Sequence, residues 1–411
     1  MKTNCRICLS SDLKTFVDFG GLYMTGHFPE PDEEVDKAEL ALAKCQDCGL
    51  VQLRDSQRIE NLYRDGYGYE SHLNGSMKRH LLSAANNFER FQKLSSGDVV
   101  LDIASNDGTL LSGYKTPGIT LVGIDPLVAS VSDYYPSSAV KLQSFFSKEV
   151  YFSNIKNPAS VITSFSVFYD LEDPARFMRD IEATLAADGI WVLEQSYLPT
   201  MIGTLGFDTI CHEHLLYLTL SDLNQLCKVS GLEIFDVTLN DVNGGSFRVF
   251  IQKRNLGSRA VSPYVSFLLE QEAQLHSISN DGLYLFNEAI ETFRTQLISL
   301  LSKFREQGYR LIGLGASTKG NVILQVCSID SEYLECIGEI NKKKFGKVTP
   351  GTKIKIVSEQ DALAETTFPI AALVLPWHFR DSIAQKMSQS SGHDAKLIFP
   401  LPQSPTVVSY Q

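Results

Sequence analysis

"DVVLDIASNDGTLL", Asp98 to Leu111, reads as an apolar strand, a loop of small residues and the start of a helix. "ITLVGIDP", Ile119 to Pro126, follows as a second strand ending in the acidic Asp125. That order fits a doubly wound α/β domain that holds an adenosine-containing ligand at the carboxyl ends of its strands. An acid after the second strand can accept hydrogen bonds from both ribose hydroxyls. The loop Ala104-Ser105-Asn106-Asp107-Gly108 has one glycine, so it makes a poor pyrophosphate cradle. Asp107 would also repel phosphate at a helix N-terminus that otherwise attracts anions. A cofactor with a ribose and a cationic centre but no phosphate suits this loop, which favours S-adenosylmethionine over NAD.

Further on, residues 160–197 read as strand, loop, helix, glycine turn and strand, with Glu194 and Gln195 ending the last strand on the ligand-facing edge. "TICHEHLLY", Thr209 to Tyr217, comes just after that edge. Its His212-Glu213-His214 is not a zinc-protease helix, because that motif needs a histidine where this chain has Leu216. A buried polar cluster and an acid/base site both remain open from spacing alone.

Toward the N-terminus, "CRIC" (Cys5, Cys8) and "CQDC" (Cys45, Cys48) are separated by 36 residues. Two such knuckles close a tetrahedral all-thiolate zinc site, which has no open position for substrate and is therefore structural. Short strands between and after the knuckles make this a small β-rich module. The "GYGYESH" loop beyond it carries Tyr67, Tyr69 and His72, and from about Ser76 the apolar spacing turns helical.

In the C-terminal half, "DVNGGSFRVFIQK" is a turn and a strand containing Arg248. Long amphipathic helices follow from Val261 to about Gln307. A second α/β unit then opens with "YRLIGLGASTKGNVIL". Gly313, Gly315 and Gly320 allow close approach, Ser317 and Thr318 add hydroxyls, and Lys319 adds charge at a helix N-terminus. Glu339 ends the next strand, so an NAD-binding domain competes with the first reading. Lys342, Lys343, Lys344 and Lys347 form either a solvated charged turn or a wall near a diphosphate.

Composition narrows the function classes. A net charge of −11 and a pI near 5.3 leave no positive excess for a phosphate backbone, so nucleic acid is not the expected partner. No run of about 18 apolar residues is present, and the N-terminus has no apolar signal core. A soluble cytoplasmic protein with reduced thiols is expected, and a monomer.

These motifs, in this order, resemble the nucleotide-sugar C-methyltransferases, which methylate C3 of a 4-keto-6-deoxyhexose carried on a nucleoside diphosphate. The resemblance runs nearly end to end, through the two CxxC knuckles, "YGYESHLNGSM", "LDIASNDGTLL", "HEH", "GGSFR", "GASTKGN" and "PGTKI". It implies an α/β protein with three parts: a zinc-binding module (1–75), a Rossmann-like S-adenosylmethionine domain (76–240) and a C-terminal Rossmann-like domain with preceding long helices (241–411). Cofactor binding falls to Asp102, Ala104, Asn106, Asp107, Gly108, Asp125 and Pro126. The nucleotide sugar is expected between the last two parts, near Tyr67, Tyr69, His72, Asn74, Tyr217, Asn243, Arg248, Ser317, Thr318, Lys319 and Asn321.

Histidine is the side chain whose ordinary pKa lies near neutrality. His214 is thus the expected base for the C3 proton, with Glu213 orienting its ring or holding a sugar hydroxyl, and His212 or a tyrosine such as Tyr69 stabilising the enolate. Family members often carry tyrosine before the HEH, where this chain has Cys211. An NAD-dependent sugar oxidoreductase and a non-catalytic zinc-ribbon interaction protein are the rival readings.

Overall fold

The computed structural model describes residues 4–56, 69–130, 134–364, 368–389 and 395–410; the expected substrate contact Tyr67 lies outside them. Three sheets organise the chain. In the N-terminal module, strands Leu13–Tyr23, Lys37–Cys45 and Val51–Leu53 run antiparallel in sequence order. The fourth place in that sheet is filled from far along the chain by Leu216–Tyr217, paired Val51 to Tyr217 and Gln52 to Leu216. The Leu53 N–H donates to the Leu215 carbonyl at 2.9 Å and lengthens the ladder. The stretch carrying His212, Glu213 and His214 therefore ends as an edge strand of the zinc module.

The central sheet has seven strands in the order Leu232–Asn240, Ser246–Lys253, Leu185–Ser196, Ala159–Phe165, Val99–Ile103, Thr120–Ile124, Val140–Leu142. Leu185–Ser196 through Val140–Leu142 are parallel, and Ser246–Lys253 runs antiparallel to both its neighbours. All five residues of Val99–Ile103 are buried, as a strand covered on both faces requires. Helix Gly75–Gln92 lays Met77, Leu81, Ala84, Ala85 and Phe88 on the face that shows Val100, Val161, Ile190 and Val192. The other face buries Leu101, Ile103, Phe168, Phe177, Trp191 and Leu193. The boundary expected at residue 240 lies between two paired strands, Leu232–Asn240 and Ser246–Lys253, the second of which also pairs with Leu185–Ser196.

Helix Asn280–Glu306 buries Leu283, Phe286, Ile290, Phe293, Leu297, Leu301 and Phe304 along one side. It packs against both the first strand of the zinc module and Arg310–Leu314, so it braces the first and last parts. The third sheet runs Ile356–Ser358, Ile337–Glu339, Arg310–Leu314, Ile370–Val374, Ala395–Phe399, Thr406–Tyr410, parallel except for the final strand. It is the expected Rossmann-like unit, with helix Thr318–Val326 following its central strand. Among the described residues no helix is long and apolar enough to cross a membrane.

Candidate active site

The loop expected to hold the cofactor is built from backbone that turns sharply. Ala104 and Asn106 adopt φ of 55° and 47°, and Gly108 of 80°; a Cβ on Gly108 would collide with the Tyr135 ring. These angles fold the loop back so that Asn106 N–H donates to Asp125 Oδ2 at 2.9 Å. Leu127 N–H donates to Oδ1 at 2.7 Å. Each Asp125 oxygen keeps a lone pair for a ribose hydroxyl. Burial pushes the Asp102 carboxyl up to about 7, against the Thr163 hydroxyl bond that favours its charge; Asp125 and Asp107 nearby push the same way as burial. Asp107 and Asp125, with Asp102 only part-ionised near neutrality, give this edge a negative potential that favours a sulfonium over a diphosphate.

Asp107 and Asn106, expected to face the cofactor, use their side chains to hold the segment that leads from the zinc module. Asp107 Oδ2 accepts from the His72 N–H at 2.9 Å and lies 2.8 Å from His72 Nδ1, while Oδ1 accepts from the Thr109 N–H at 3.0 Å. Asn106 accepts from the Ser71 N–H at 3.1 Å and donates to the Tyr69 carbonyl at 3.1 Å. Tyr69 is thereby set beside the cofactor loop. The residue is 45% exposed; desolvation pushes its phenol up to about 12, so it stays a proton donor at neutral pH.

His214 is the one histidine of the HEH whose geometry suits a base. Its Nδ1 lies 2.8 Å from the Thr209 carbonyl, and a carbonyl only accepts, so Nδ1 carries the proton and Nε2 keeps its lone pair. The ring packs on Tyr169 with centroids 4.1 Å apart. Burial, reinforced by the Lys319 charge, lowers its pKa to about 3 against the Thr209 bond, so the ring is neutral throughout the physiological range. His212 differs: its Nε2 donates to the Ala38 carbonyl at 3.1 Å. The donor that the sequence reading offered to an enolate is thus spent on the zinc module.

Glu213 does not orient His214, whose ring is set by Thr209. Its carboxylate instead accepts from the Thr25 hydroxyl at 3.4 Å and packs onto Gly26, where a Cβ would collide with Oε1. Gly26→Ala must therefore push Glu213 aside. We expect destabilisation of roughly 1–3 kcal/mol and a kcat lowered about 10–100-fold; an unchanged kcat would show that the position of Glu213 is immaterial.

A third wall comes from the C-terminal domain. Ser317 caps helix Thr318–Val326 by accepting from the Gly320 N–H at 3.0 Å. Lys319 Nζ then reaches the Asn243 carbonyl at 2.7 Å, and Asn321 donates to the Thr25 carbonyl at 2.7 Å. Asn243 sits at φ 55° with its amide 3.5 Å from Ser166 Oγ, at the end of a central strand. Asp208, fully buried, accepts from Trp377 Nε1 at 2.7 Å. Sequence reasoning missed Thr25, Gly26, Asp208, Trp377 and His378. Only the last two left a signal: "PWHF" follows strand Ile370–Val374 at its carboxyl end, where ligands of such sheets gather.

Other expected contacts have different partners. Arg248 donates to Glu194 at 2.7 Å and lies 3.1 Å from His80 Nε2, which is itself 2.5 Å from Glu194; this guanidinium is locked inside the central domain. Asn74 uses its carboxamide oxygen to cap helix Gly75–Gln92, and the Tyr217 hydroxyl donates to the Thr209 carbonyl at 3.4 Å. Glu339 accepts from the N–H groups of Ala316, Ile340 and Asn341 at 2.8, 2.7 and 2.9 Å. Lys343 pairs with Glu70 at 2.6 Å, and Lys344 reaches the Ala316 carbonyl over the Phe28 ring.

The four cysteines converge as their spacing predicts. Their sulfurs lie within 4.8 Å of one another, with Cys5–Cys48 and Cys8–Cys45 at 3.5 Å. Four thiolates at about 2.3 Å from zinc would be about 3.8 Å apart. Matching turns close both knuckles: Leu9 N–H donates to the Cys5 carbonyl and Gly49 N–H to the Cys45 carbonyl, each at 3.0 Å. The donor set fits zinc.

Three family models match the chain in succession: a zinc binding domain over residues 5–63, a methyltransferase domain over 69–237 and a C-methyltransferase C-terminal domain over 241–402. These matches make the chain an enzyme, a C-methyltransferase, with the three matched domains in that order. It is 27% identical over 410 residues to the C-methyltransferase NovU of Streptomyces niveus, covering 98% of this chain and 96% of that one. Among solved structures it is similar to the plantazolicin methyltransferase BamL in complex with SAH (TM-score 0.36, 14% identity, 44% of this chain and 86% of that one). It is also similar to TnmH (TM-score 0.33, 18% identity, 44% and 56%).

Proposed function

We propose that this C-methyltransferase acts in the cytoplasm on C3 of a nucleoside-diphosphate 4-keto-6-deoxy sugar, on the way to a branched-chain deoxysugar. The observation that carries the reading is the His214 tautomer: a half-buried neutral imidazole with a free Nε2 lone pair, held by a backbone carbonyl. C-methylation needs a carbon nucleophile, and a carbon beside a ketone becomes one when its proton is removed. S-adenosylmethionine, at the Asp125 edge, supplies an electrophilic methyl group when bound. His214 Nε2 takes the C3 proton. Tyr69, protonated and set beside the cofactor loop, is a hydrogen-bond donor for a sugar oxygen. Glu213, held by Thr25 and Gly26, is available to a sugar hydroxyl. Glu213 is buried, which raises the strength of its polar contacts.

The oxidoreductase reading asks the second glycine loop to cradle a pyrophosphate and Glu339 to take a ribose. The Glu339 carboxylate already accepts three backbone N–H groups, one of them from that loop. We therefore expect S-adenosylhomocysteine to raise the melting temperature, by about 2.7 kcal/mol of added stability at a hundredfold excess over its Kd, with no shift from NAD. A shift with NAD alone would overturn the cofactor assignment. Labelled S-adenosylmethionine offered with thymidine-, guanosine- and cytidine-diphosphate 4-keto-6-deoxy sugars should label at least one of them. Labelling of none would overturn the substrate class.

A further inference from the structure

We propose that Lys319 is a catalytic residue of this reaction: its ammonium donates to the sugar C4 oxygen on which charge gathers as His214 removes the C3 proton, with Asp208 and His378 as its positioning residues. This rests on the enolate reading above and assigns the electrophile it needs.

Lys319 enters from a different domain than the HEH, on the first turn of helix Thr318–Val326, which packs against the Phe207–Thr209 turn just ahead of the HEH. One ammonium proton goes to the Asn243 carbonyl at 2.7 Å, which fixes Nζ and leaves two donors for a ligand. Helix Thr318–Val326 packs on the Phe207–Thr209 turn, and Val242–Gly244, whose Asn243 holds the ammonium, packs on Trp377–Phe379. Asp208 and His378 thus come from the two turns around Lys319, and the charges of Asp208, His214 and His378 are coupled to it. Two of them hold unspent polar atoms: Asp208 Oδ1 and His378 Nδ1 are buried with no hydrogen-bond partner among the described residues. Buried polar atoms in folded proteins are nearly always paired, so orphans of both kinds beside a half-satisfied ammonium mark a place where a polar ligand atom completes the set. Trp377 Nε1 on Asp208 Oδ2 at 2.7 Å keeps the other oxygen aimed inward. The tyrosine hydroxyl that could have served sits elsewhere: Tyr217 bonds to Thr209, and the residue before the HEH is Cys211, a thiol kept protonated by burial.

The C3–H bond breaks, its proton goes to His214 Nε2, and the pair becomes the C3–C4 double bond while O4 takes the charge beside Lys319. The C3–methyl bond then forms as the sulfur–methyl bond breaks, the sulfur keeps that pair, and the C4 carbonyl returns. A lone ammonium beside His214 would oppose the imidazolium that forms, but Asp208 balances it, so the pair favours charge separation between C4 oxygen and His214. Lys319 must be protonated to act. Burial lowers its pKa and Asp208 raises it, so removing the carboxylate moves the alkaline limb of kcat to lower pH.

The test is exchange of the C3 proton into deuterium oxide, followed by NMR on thymidine-diphosphate 4-keto-6-deoxyglucose with S-adenosylhomocysteine bound, so that no methyl transfer intervenes. Lys319→Met should slow exchange about 10²–10³-fold with KM changed less than tenfold, and Lys319→Arg should recover part of the rate. Asp208→Asn should fold, since Oδ2 is replaceable as an acceptor for Trp377, and should shift the alkaline limb downward. Exchange by Lys319→Met within threefold of wild type would overturn this proposal alone. So would a loss confined to KM, which would make Lys319 a binding group, or an unshifted limb in Asp208→Asn. No exchange by the wild-type enzyme on this or the other 4-keto substrates would overturn the enolate reading and this proposal together.

Discussion

Replacing His214 by alanine is expected to slow methyl transfer by about 10²–10⁴-fold, the range supplied by a positioned general base, while leaving the thermal shift with S-adenosylhomocysteine intact. The proposed cofactor edge is Asp125 and the 104–108 loop, on a different segment from His214. Its Nδ1 bond to Thr209 and its tilted contact with the Tyr169 ring fix the lone pair, so on the proposed mechanism a smaller residue loses the base and little else. The pH profile adds an independent check. Burial and Lys319 hold the His214 pKa down at about 3, and a base works above its pKa. Activity should therefore not fall on this account until pH approaches that value, and an acid limb near the ordinary histidine pKa of about 6.5 would assign the role to another group. The same shift makes the fold acid-labile: unfolded histidine binds a proton below about 6.5 that the native ring refuses, so stability is lost progressively as pH falls from there toward 3. An active His214→Ala enzyme would remove this residue from the mechanism.

The second large effect concerns zinc. Cys45→Ser, or removal of metal by a strong chelator, is expected to destabilise the protein on the order of 5 kcal/mol and to abolish transfer although no thiolate touches substrate. The module reaches the site three times: Val51–Leu53 pairs with Leu216–Tyr217, the Ala38 carbonyl holds His212, and Thr25 with Gly26 holds Glu213. Loss of the knuckles loosens the sheet that these strands form and so the HEH between them. Amide exchange should rise at Leu216 and Tyr217 along with the fall in melting temperature. A metal-free protein with wild-type kcat and protected amides there would show that the module is a separate appendage.

Much of this architecture is legible in the chain because it is local. Two cysteine knuckles, alternating strands and helices, and an acid closing a second strand all follow from short-range pattern, and the resemblance to sugar C-methyltransferases rests on such motifs. What the sequence hid is tertiary. Nothing near Leu216 says that it pairs with Gln52, since a two-residue edge strand has no period. Asp107 and Asn106 look like cofactor ligands on their loop, yet their side chains close on residues 69–72, because a bridge crossing a turned loop needs acceptors for its own N–H groups. Arg248 was offered to substrate, but a half-buried arginine opposite Glu194 in a paired strand is held there by charge and by two aromatic rings 5.4 Å away. Asp208 and His378 carry no motif, and only the folded chain brings them to Lys319.

The central claim is carbon methylation at C3 through a base-generated enolate. The direct measurement is NMR of the product formed from ¹³C-methyl S-adenosylmethionine and a thymidine-diphosphate 4-keto-6-deoxy sugar. A methyl carbon coupled to C3 of the sugar is the predicted result; label on an oxygen, on another carbon, or on no sugar of the panel would contradict it.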